Sequence, residues 1–170
     1  IPRPETETLV ETIVKLTKDK KKYRVLELGT GSGAVAAALQ TEMQDAQIIA
    51  TDISLPALRV ARANFTELGL NNIKTAVGNW LEPIGEENFD FIVANPPYIG
   101  KKESNLLDRE IFFEPSHAIF SGEDGLDAAT VIVKDASRCL RDGGVLAIEH
   151  GYRQGKIMRN IFALNGFTRR

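Results

Sequence analysis

Short apolar segments alternate with longer amphipathic segments along this chain of 170 residues. The short segments predict strands, and the longer ones, whose apolar residues recur at helical spacing, predict helices. Because strands that are apolar on both faces alternate with helices, the pattern predicts an α/β fold with a mostly parallel sheet covered on both sides. Right-handed crossovers make such a fold doubly wound, and ligands then bind at the carboxyl ends of the strands.

Five strands and five helices are predicted. The predicted strands are 23–29, 47–54, 73–78, 89–98 and 143–151, and the predicted helices are 7–16, 32–40, 55–69, 125–140 and 153–166. The third helix has the clearest ends, since Ser54 is a suitable N-cap, Pro56 lies in the first turn and Gly69 ends the helix. Cys139 falls on the fourth helix among apolar neighbours and is predicted to be a core residue.

Composition argues against several classes of function. The chain carries 21 Lys and Arg against 23 Asp and Glu, a net charge of -2, which argues against non-specific binding of nucleic acid. The single cysteine permits no intrachain disulfide, and no apolar run approaches the ~20 residues of a membrane span. We therefore expect a cytoplasmic protein with neither a nucleic acid nor a membrane as partner. We also expect residues 1–170 to be one domain, cut from a longer protein at both ends, because the chain lacks an initiator methionine and stops where a further strand would begin.

The segment LELGTGSGA joins the first predicted strand to the next helix. Gly29, Gly31 and Gly33 allow a tight turn and a close approach of the backbone to a ligand, because no Cβ atom stands in the way. The helix that follows offers free N–H groups at its start. Asp52 ends the second predicted strand, where a carboxylate can accept hydrogen bonds from both hydroxyls of a ribose. Together these features predict a site for a ligand that contains a ribose.

Two classes of enzyme fit this glycine segment. With Ala34 in the last place it satisfies the G-x-G-x-x-G/A pattern, so a nicotinamide-dependent oxidoreductase is one interpretation. With Glu27 as the acid it also satisfies acid-x-G-x-G-x-G, which resembles the class I methyltransferases that use S-adenosylmethionine. In that interpretation Glu27 either faces the ammonium group of the ligand, directly or through water, or holds N–H groups of the loop.

The segment NPPY, Asn95 to Tyr98, follows the fourth predicted strand and favours the methyltransferase. Pro96 and Pro97 fix φ and lack N–H donors, which makes a rigid turn with outward carbonyl groups. Asn95 adds a side-chain acceptor and Tyr98 adds an aromatic face. A planar –NH2 group fits between the Asn95 oxygen and the Pro96 carbonyl, with its lone pair directed at a methyl group on a neighbouring sulfonium. Two such acceptors favour the positive charge that the nitrogen gains during attack.

Several segments match, in order and spacing, the HemK/PrmC family of release factor glutamine methyltransferases. They are IPRPETE, ELGTGSGAVAAAL, TDIS with the Ala, Leu and Asn positions that follow it, NPPYI, FEPSHAIFSGEDGL and LRDGGVLAIEHG. The resemblance covers essentially the whole chain and implies a Rossmann-like class I catalytic domain. It implies transfer of a methyl group from S-adenosylmethionine to the side-chain nitrogen of a glutamine. The implied partner is a peptide chain release factor, whose Gly-Gly-Gln loop carries that glutamine.

The resemblance also implies roles for individual residues. Asp52 matches the ribose acid, and Trp80 matches an aromatic residue beside the adenine. Asn79 stands where the family usually has aspartate, so the cofactor is expected to bind more weakly or differently. The segment Gly29 to Gly33, which includes Thr30, Gly31 and Ser32, matches the cofactor loop, and Asn95 to Tyr98 match the clamp that holds the glutamine, with Asn95 also beside the cofactor.

Other interpretations stay open at this point. A methyltransferase acting on exocyclic amines of nucleic acid shares the same chemistry, but it needs a recognition domain and a basic cleft that the sequence does not display. A nicotinamide-dependent oxidoreductase gives no reason for NPPY. Glu114, His117 and Asp124 lie in one segment, yet no tight ligand spacing exists there, so we predict no metal and a loop that borders the peptide site.

Overall fold

A computed structural model describes residues 4–17, 22–86, 88–102 and 116–168 of the chain. The chain divides into two compact units. The first unit comprises residues 1–95 and 136–149, and the second comprises residues 96–135 and 150–170.

The first unit contains a five-stranded sheet with helices between its early strands. In chain order its elements are α1 (Pro4–Leu16), β1 (Arg24–Leu28), α2 (Ala34–Glu42), β2 (Gln47–Asp52), α3 (Leu55–Glu67), β3 (Ile73–Val77), β4 (Phe89–Ala94) and, after the second unit has begun, β5 (Leu140–Ile148). All neighbouring strands pair in parallel, in the order β3-β2-β1-β4-β5. The strand order reverses between β1 and β4, and in doubly wound sheets ligands bind beyond the carboxyl ends of the strands at such a point.

The second unit is helical in its described part. Its helices are α4 (Ser116–Ile119), α6 (Gly155–Leu164) and α5 (Asp127–Ala136), of which only the last residue, Ala136, belongs to the first unit. The segment that follows NPPY pairs in parallel with the segment after α4, and Ser121 N donates to Ile99 O at 2.9 Å. Ser121 Oγ accepts a hydrogen bond from Ala128 N at 2.7 Å, which connects this pairing to the first turn of α5. No helix in the described part of the chain is long and apolar enough to cross a membrane.

Both faces of the central strands are buried. Val25 of β1 and Val93 of β4 lie on one face, where a hydrophobic cluster joins them to side chains of the three helices of the first unit. Leu26 and Ile92 alternate with these residues along the same strands and are also fully buried. Because successive side chains of a strand point to opposite faces, the predicted sheet with two covered faces is confirmed. Members of the cluster on the helices include Leu9, Ile13, Leu39, Ala61 and Phe65.

The sequence signals at both ends of α3 are confirmed. Ser54 is the N-cap, and its Oγ accepts a hydrogen bond from Ala57 N at 3.3 Å, with Pro56 in the first turn. Gly69 follows the last turn with a φ of +68°, a left-handed conformation that ends helices and that glycine adopts without strain. The N-cap of this helix therefore lies two residues after Asp52, close to the carboxyl end of β2.

The predicted boundary between the fourth helix and the last strand is wrong. The helix predicted over 125–140 spans only α5, and β5 already begins at Leu140. Cys139 is buried, as predicted, but it lies in the turn before β5 and not on a helix. α4 was not predicted either, since the segment from Phe113 to Leu126 was expected to form a loop; residues 113–115 of this segment lie outside the described part of the chain.

A bulge in β5 explains the misplaced boundary. Phe89 of β4 pairs with Leu140, but Phe91 pairs with Val145, so β5 contains more residues than its partner over this stretch. Gly143, at a φ of +69°, lies inside the bulge. The sequence pattern treated this glycine as the start of the strand, whereas a bulge places it within the strand.

Candidate functional site

Three neighbouring strands of the first unit end at the same level. Leu28 at the end of β1 pairs with Thr51 of β2 on one side and with Ala94 of β4 on the other. The residues that follow these three are Gly29, Asp52 and Asn95. Since neighbouring strands lie ~4.8 Å apart, the glycine loop, the acid of β2 and the start of NPPY come together at the switch point of the sheet.

Asp52 binds the glycine loop through its carboxylate. Its Oδ2 accepts a hydrogen bond from Gly31 N at 2.8 Å, and its Oδ1 accepts one from Ser54 N, also at 2.8 Å. Thr30 N donates to Thr51 O at 2.9 Å and fixes the loop to the end of β2 as well. Each carboxylate oxygen has two acceptor positions, so each retains capacity for a further donor such as a hydroxyl group.

The three glycines of the loop share a left-handed backbone but differ in their surroundings. Gly29, Gly31 and Gly33 all have positive φ, at +71°, +55° and +85°. A Cβ atom on Gly33 would lie 2.5 Å from the ring of Phe65, so a side chain there would disrupt the packing between the loop and α3. A Cβ atom on Gly31 would meet nothing within 4 Å, which leaves open space over the loop for a ligand.

Glu27 is buried under the loop. The residue is 3% exposed, and its Oε2 accepts a hydrogen bond from the hydroxyl of Thr30, which is also buried. Of the two roles predicted for Glu27, this geometry favours the one in which Glu27 holds the loop. The donor from the loop is the hydroxyl group of Thr30, whereas a backbone N–H group was expected. Burial raises the pKa of Glu27 from 4.5 to about 8; hydrogen bonds from Thr30 and from the backbone of Ala36 oppose this rise, and the charge of Asp52 adds to it.

This raised pKa predicts that the folded protein loses stability as the pH rises from 4.5 towards 8. In that window the unfolded chain has released the proton of Glu27 while the folded protein still holds it, so the contribution of Glu27 to folding is largest below pH 4.5. The loss is ~1.4 kcal/mol per pH unit, or about 2 kcal/mol between pH 6 and 7.5. Urea unfolding of the native protein and of Glu27→Gln at both pH values measures it. An equal loss in Glu27→Gln would show that other groups cause it.

Trp80 has strained backbone geometry at the edge of the loop. Its φ is +49°, the one positive φ among the described residues other than glycine, and such strain tends to be retained where it serves a function. A Cβ atom on Gly29 would lie 3.2 Å from the Trp80 ring, so the indole lies against the glycine loop. Asn79, the preceding residue, is exposed and donates from Nδ2 to Glu82 Oε1 at 3.1 Å.

Two residues outside the predicted site hold segments of the site in place. Arg138 donates from its guanidinium to Ile84 O at 2.7 Å and to Leu81 O at 2.6 Å, and so fixes the segment that carries Trp80. Asn64 of α3 donates from Nδ2 to Ser32 O at 2.8 Å and holds the glycine loop. Asn64 belongs to a segment that we matched to the family, which is the only signal that could have found it.

NPPY spans the boundary between the two units. Asn95, which ends the first of the two stretches that form the first unit, is half-buried. In the second unit Pro96 is buried, Pro97 and Tyr98 are half-buried, and the carbonyl of Tyr98 accepts a hydrogen bond from Gln154 Nε2 at 2.8 Å.

Part of the predicted site lies outside the described residues. Residues 1–3 and Glu114 are outside them, and the side chain of His117 is likewise not described. Within the part of the chain that the structure describes, no group of His, Cys, Asp or Glu could hold a metal ion.

The chain is similar to known methyltransferases in sequence. The model of the family described as "Methyltransferase small domain" matches residues 4–125. The release factor glutamine methyltransferase of Xylella fastidiosa (strain Temecula1 / ATCC 700964) is 45% identical over 99% of this chain and 61% of that protein. Those of Buchnera aphidicola subsp. Schizaphis graminum and Escherichia coli (strain K12) are 47% and 36% identical, each over 98% of this chain and 60% of the relative. The chain thus spans about three fifths of the length of these relatives.

Solved structures share the fold. A ribosomal protein L11 methylase from Lactobacillus delbrueckii subsp. bulgaricus superposes with a TM-score of 0.73 at 21% identity, over 98% of this chain and 71% of that one. A coclaurine N-methyltransferase bound to N-methylheliamine and SAH superposes with a TM-score of 0.59 at 14% identity, over 85% of this chain and 35% of that one. The predicted Rossmann-like methyltransferase fold is confirmed.

Proposed function

The chain belongs to the family described as the methyltransferase small domain, and we propose that it transfers a methyl group from S-adenosylmethionine to the side-chain amide nitrogen of a glutamine. We propose that this glutamine lies in the Gly-Gly-Gln loop of a peptide chain release factor, since release factor glutamine methyltransferases are similar to nearly the whole chain. The observation that carries the proposal is the meeting of the glycine loop, Asp52 and Asn95 at the ends of adjacent strands.

The residues at these strand ends fit S-adenosylmethionine. The open space over Gly31 leaves room for the ligand, and the carboxylate of Asp52 is held in place with acceptor capacity for the ribose hydroxyls. The Trp80 ring beside Gly29 offers a flat apolar surface for the adenine. The side-chain oxygen of Asn79 is an acceptor suited to the adenine amino group. When bound, S-adenosylmethionine supplies a methyl group attached to a positively charged sulfur.

The groups that follow β4 are suited to a glutamine amide. An amide nitrogen is a poor nucleophile because its lone pair is delocalised into the carbonyl group. In our proposal the Asn95 side-chain oxygen and the Pro96 carbonyl accept the two amide hydrogens, and the ring of Tyr98 packs on the planar amide. Two acceptors stabilise the positive charge that develops as the nitrogen rehybridises, and a rigid turn holds them without reorganisation. Glu27 and Thr30 act indirectly, by holding the glycine loop from below.

Mass spectrometry of a release factor incubated with S-adenosylmethionine and the full-length protein tests this proposal. We expect the peptide that contains Gly-Gly-Gln to gain the mass of one methyl group, with fragmentation placing it on the glutamine side chain. A release factor whose glutamine is replaced by glutamate is the control and is expected to gain none. Methylation of adenine in DNA, with none on the release factor, would contradict the proposal and favour an enzyme that acts on nucleic acid.

A further inference from the structure

Gln154 links three stretches of backbone in the second unit. It occupies the N-cap position of α6, yet its side chain makes no capping hydrogen bond to the helix. Instead its Oε1 accepts a hydrogen bond from Gly151 N at 2.8 Å. Its Nε2 donates to the carbonyl oxygens of Tyr98 at 2.8 Å, Asp124 at 3.2 Å and Gly125 at 3.3 Å. One side chain thus connects the last residue of NPPY to two separate turns.

Two glycines make room for this arrangement. Gly125 has a φ of +75°, and a Cβ atom there would lie 2.2 Å from Tyr98 O and 2.7 Å from Gln154 Nε2. A Cβ atom on Gly151 would lie 3.1 Å from Gln154 Oε1 and 3.5 Å from Cδ2 of the Tyr98 ring. Any side chain at Gly125 would displace either the Tyr98 carbonyl or the Gln154 amide. The surrounding backbone is therefore shaped around the contact between these two groups.

The chain on the carboxyl side of Tyr98 is held by bonds between backbone groups, and not by a side chain as the Tyr98 carbonyl is. Ile99 N donates to Ile119 O at 3.3 Å, and Lys101 N donates to Gly122 O at 3.0 Å, so this stretch is held by backbone groups. Pro96 and Pro97 carry no N–H, so few backbone donors are available at the corner, and hydrogen bonds to its carbonyl groups carry more of the restraint. The bond from Gln154 to the Tyr98 carbonyl is of this kind.

We infer that Gln154 is a positioning residue for methyl transfer: by holding the Tyr98 carbonyl, it fixes the peptide planes that orient the Pro96 carbonyl and the Tyr98 ring towards the acceptor amide. This inference rests on the proposed function. Gln154 touches neither the cofactor nor the acceptor in this role, and it acts through the orientation of the NPPY segment alone. A displacement of ~1 Å at a reacting group lowers a rate by up to ~10²-fold, so the loss of this bond is expected to reduce turnover and not binding.

Gln154→Met tests the inference, because methionine has a similar length and no hydrogen-bonding amide. In the full-length protein we expect kcat for methylation of a release factor to fall ~10- to 100-fold, while the Kd for S-adenosylmethionine stays within ~2-fold of the native value. Lys156→Met, on an exposed position of the same helix, is the matched control and is expected to keep native values. A kcat of Gln154→Met within 2-fold of the native value would overturn the inference, as would a rate loss fully explained by a smaller folded fraction.

Gln154→Glu separates positioning from general loss of structure, and it decides the question if Gln154→Met does not fold. Glutamate keeps the acceptor for Gly151 N but, when ionised, directs a carboxylate at the three carbonyl oxygens that the amide group contacted. When protonated, it regains one O–H donor for Tyr98 O. We expect kcat of this variant, relative to the native protein at the same pH, to rise as the pH falls from 8 to 5.5. A ratio that does not change with pH would contradict the positioning role.

Amide hydrogen exchange tests the inference about Gln154 without any substrate. We expect peptides that cover residues 96–102 to exchange at least ~10-fold faster in Gln154→Met than in the native protein or Lys156→Met. Unchanged exchange would overturn the inference about Gln154, whatever the acceptor is. A native protein that methylates no release factor would instead overturn the proposed function, so the two failures are distinguishable.

Discussion

Asn95→Ala is expected to lower the rate of methyl transfer ~10²–10³-fold while the affinity for S-adenosylmethionine changes little. In the proposed function the Asn95 oxygen matters most where positive charge develops on the glutamine nitrogen, a charge that is absent from the bound ground state. The loss of one preorganised polar group from an oxyanion site has an effect of this size. Single-turnover methyl transfer at saturating cofactor measures the rate, and calorimetry measures the affinity. Asn160→Ala, at an exposed position of α6, is the control and is expected to keep the native rate.

Asn95→Asp is the sharper version of this test. Aspartate keeps an acceptor oxygen and adds a negative charge, so the cationic cofactor is expected to bind at least as well as in the native protein. It loses the NH2 group of asparagine and holds a positively charged nitrogen more strongly, which disturbs the orientation of the acceptor. We therefore expect a rate above that of Asn95→Ala and below that of the native protein. A native rate in Asn95→Ala would mean that NPPY is only a turn and that the clamp described above is wrong.

The central part of the site could be predicted from the sequence because it follows from strand order and local motifs. Each of these groups lies at the end of a short apolar segment: the glycine loop follows the first, Asp52 ends the second and Asn95 follows the fourth. Parallel strands bring such ends to one edge of the sheet. The alternation of strands and helices was therefore enough to place these groups together. The same reasoning explains why the ends of α3 were correct, since Ser54 and Gly69 act within a few residues of their own position.

The supporting residues could not be predicted because their contacts are distant in sequence and end on backbone carbonyls. Arg138 lies 54 residues from Ile84, and Gln154 lies 56 residues from Tyr98. A backbone carbonyl carries no residue identity, so neither partner leaves a pattern in the sequence. The left-handed backbone of Trp80 could not be predicted either, since that position is occupied by neither glycine nor asparagine. The bulge in β5 was missed because a glycine is read as a strand boundary unless the register of the partner strand is known.

Asp52→Ala is expected to weaken the binding of S-adenosylmethionine by about 1.5–3 kcal/mol, the range for hydrogen bonds to a charged group. In the proposed site the carboxylate accepts the ribose hydroxyls, and it already holds Gly31 N and Ser54 N at 2.8 Å each. The alanine variant therefore loses the ligand contact and loosens the glycine loop as well. Calorimetric titration of the full-length protein measures the loss, and Asp45→Ala, an exposed acid before β2, is the control. Affinity equal to the native value would remove Asp52 from the cofactor site.

Asp52→Asn separates these two contributions. Asparagine has the shape of aspartate and keeps one acceptor oxygen, so it can hold either Gly31 N or Ser54 N, but its NH2 group faces the other donor. Because only the oxygen of the asparagine side chain can accept from the ribose hydroxyls, we expect the asparagine variant to bind less tightly than the native protein and more tightly than the alanine variant. If the asparagine variant binds as the native protein does, the charge of Asp52 contributes nothing to the ligand. If it binds as weakly as the alanine variant, the loop can accept the cofactor only when the carboxylate holds both backbone donors, Gly31 N and Ser54 N. In that case Asp52 contributes more by shaping the loop than by its contact with the ribose.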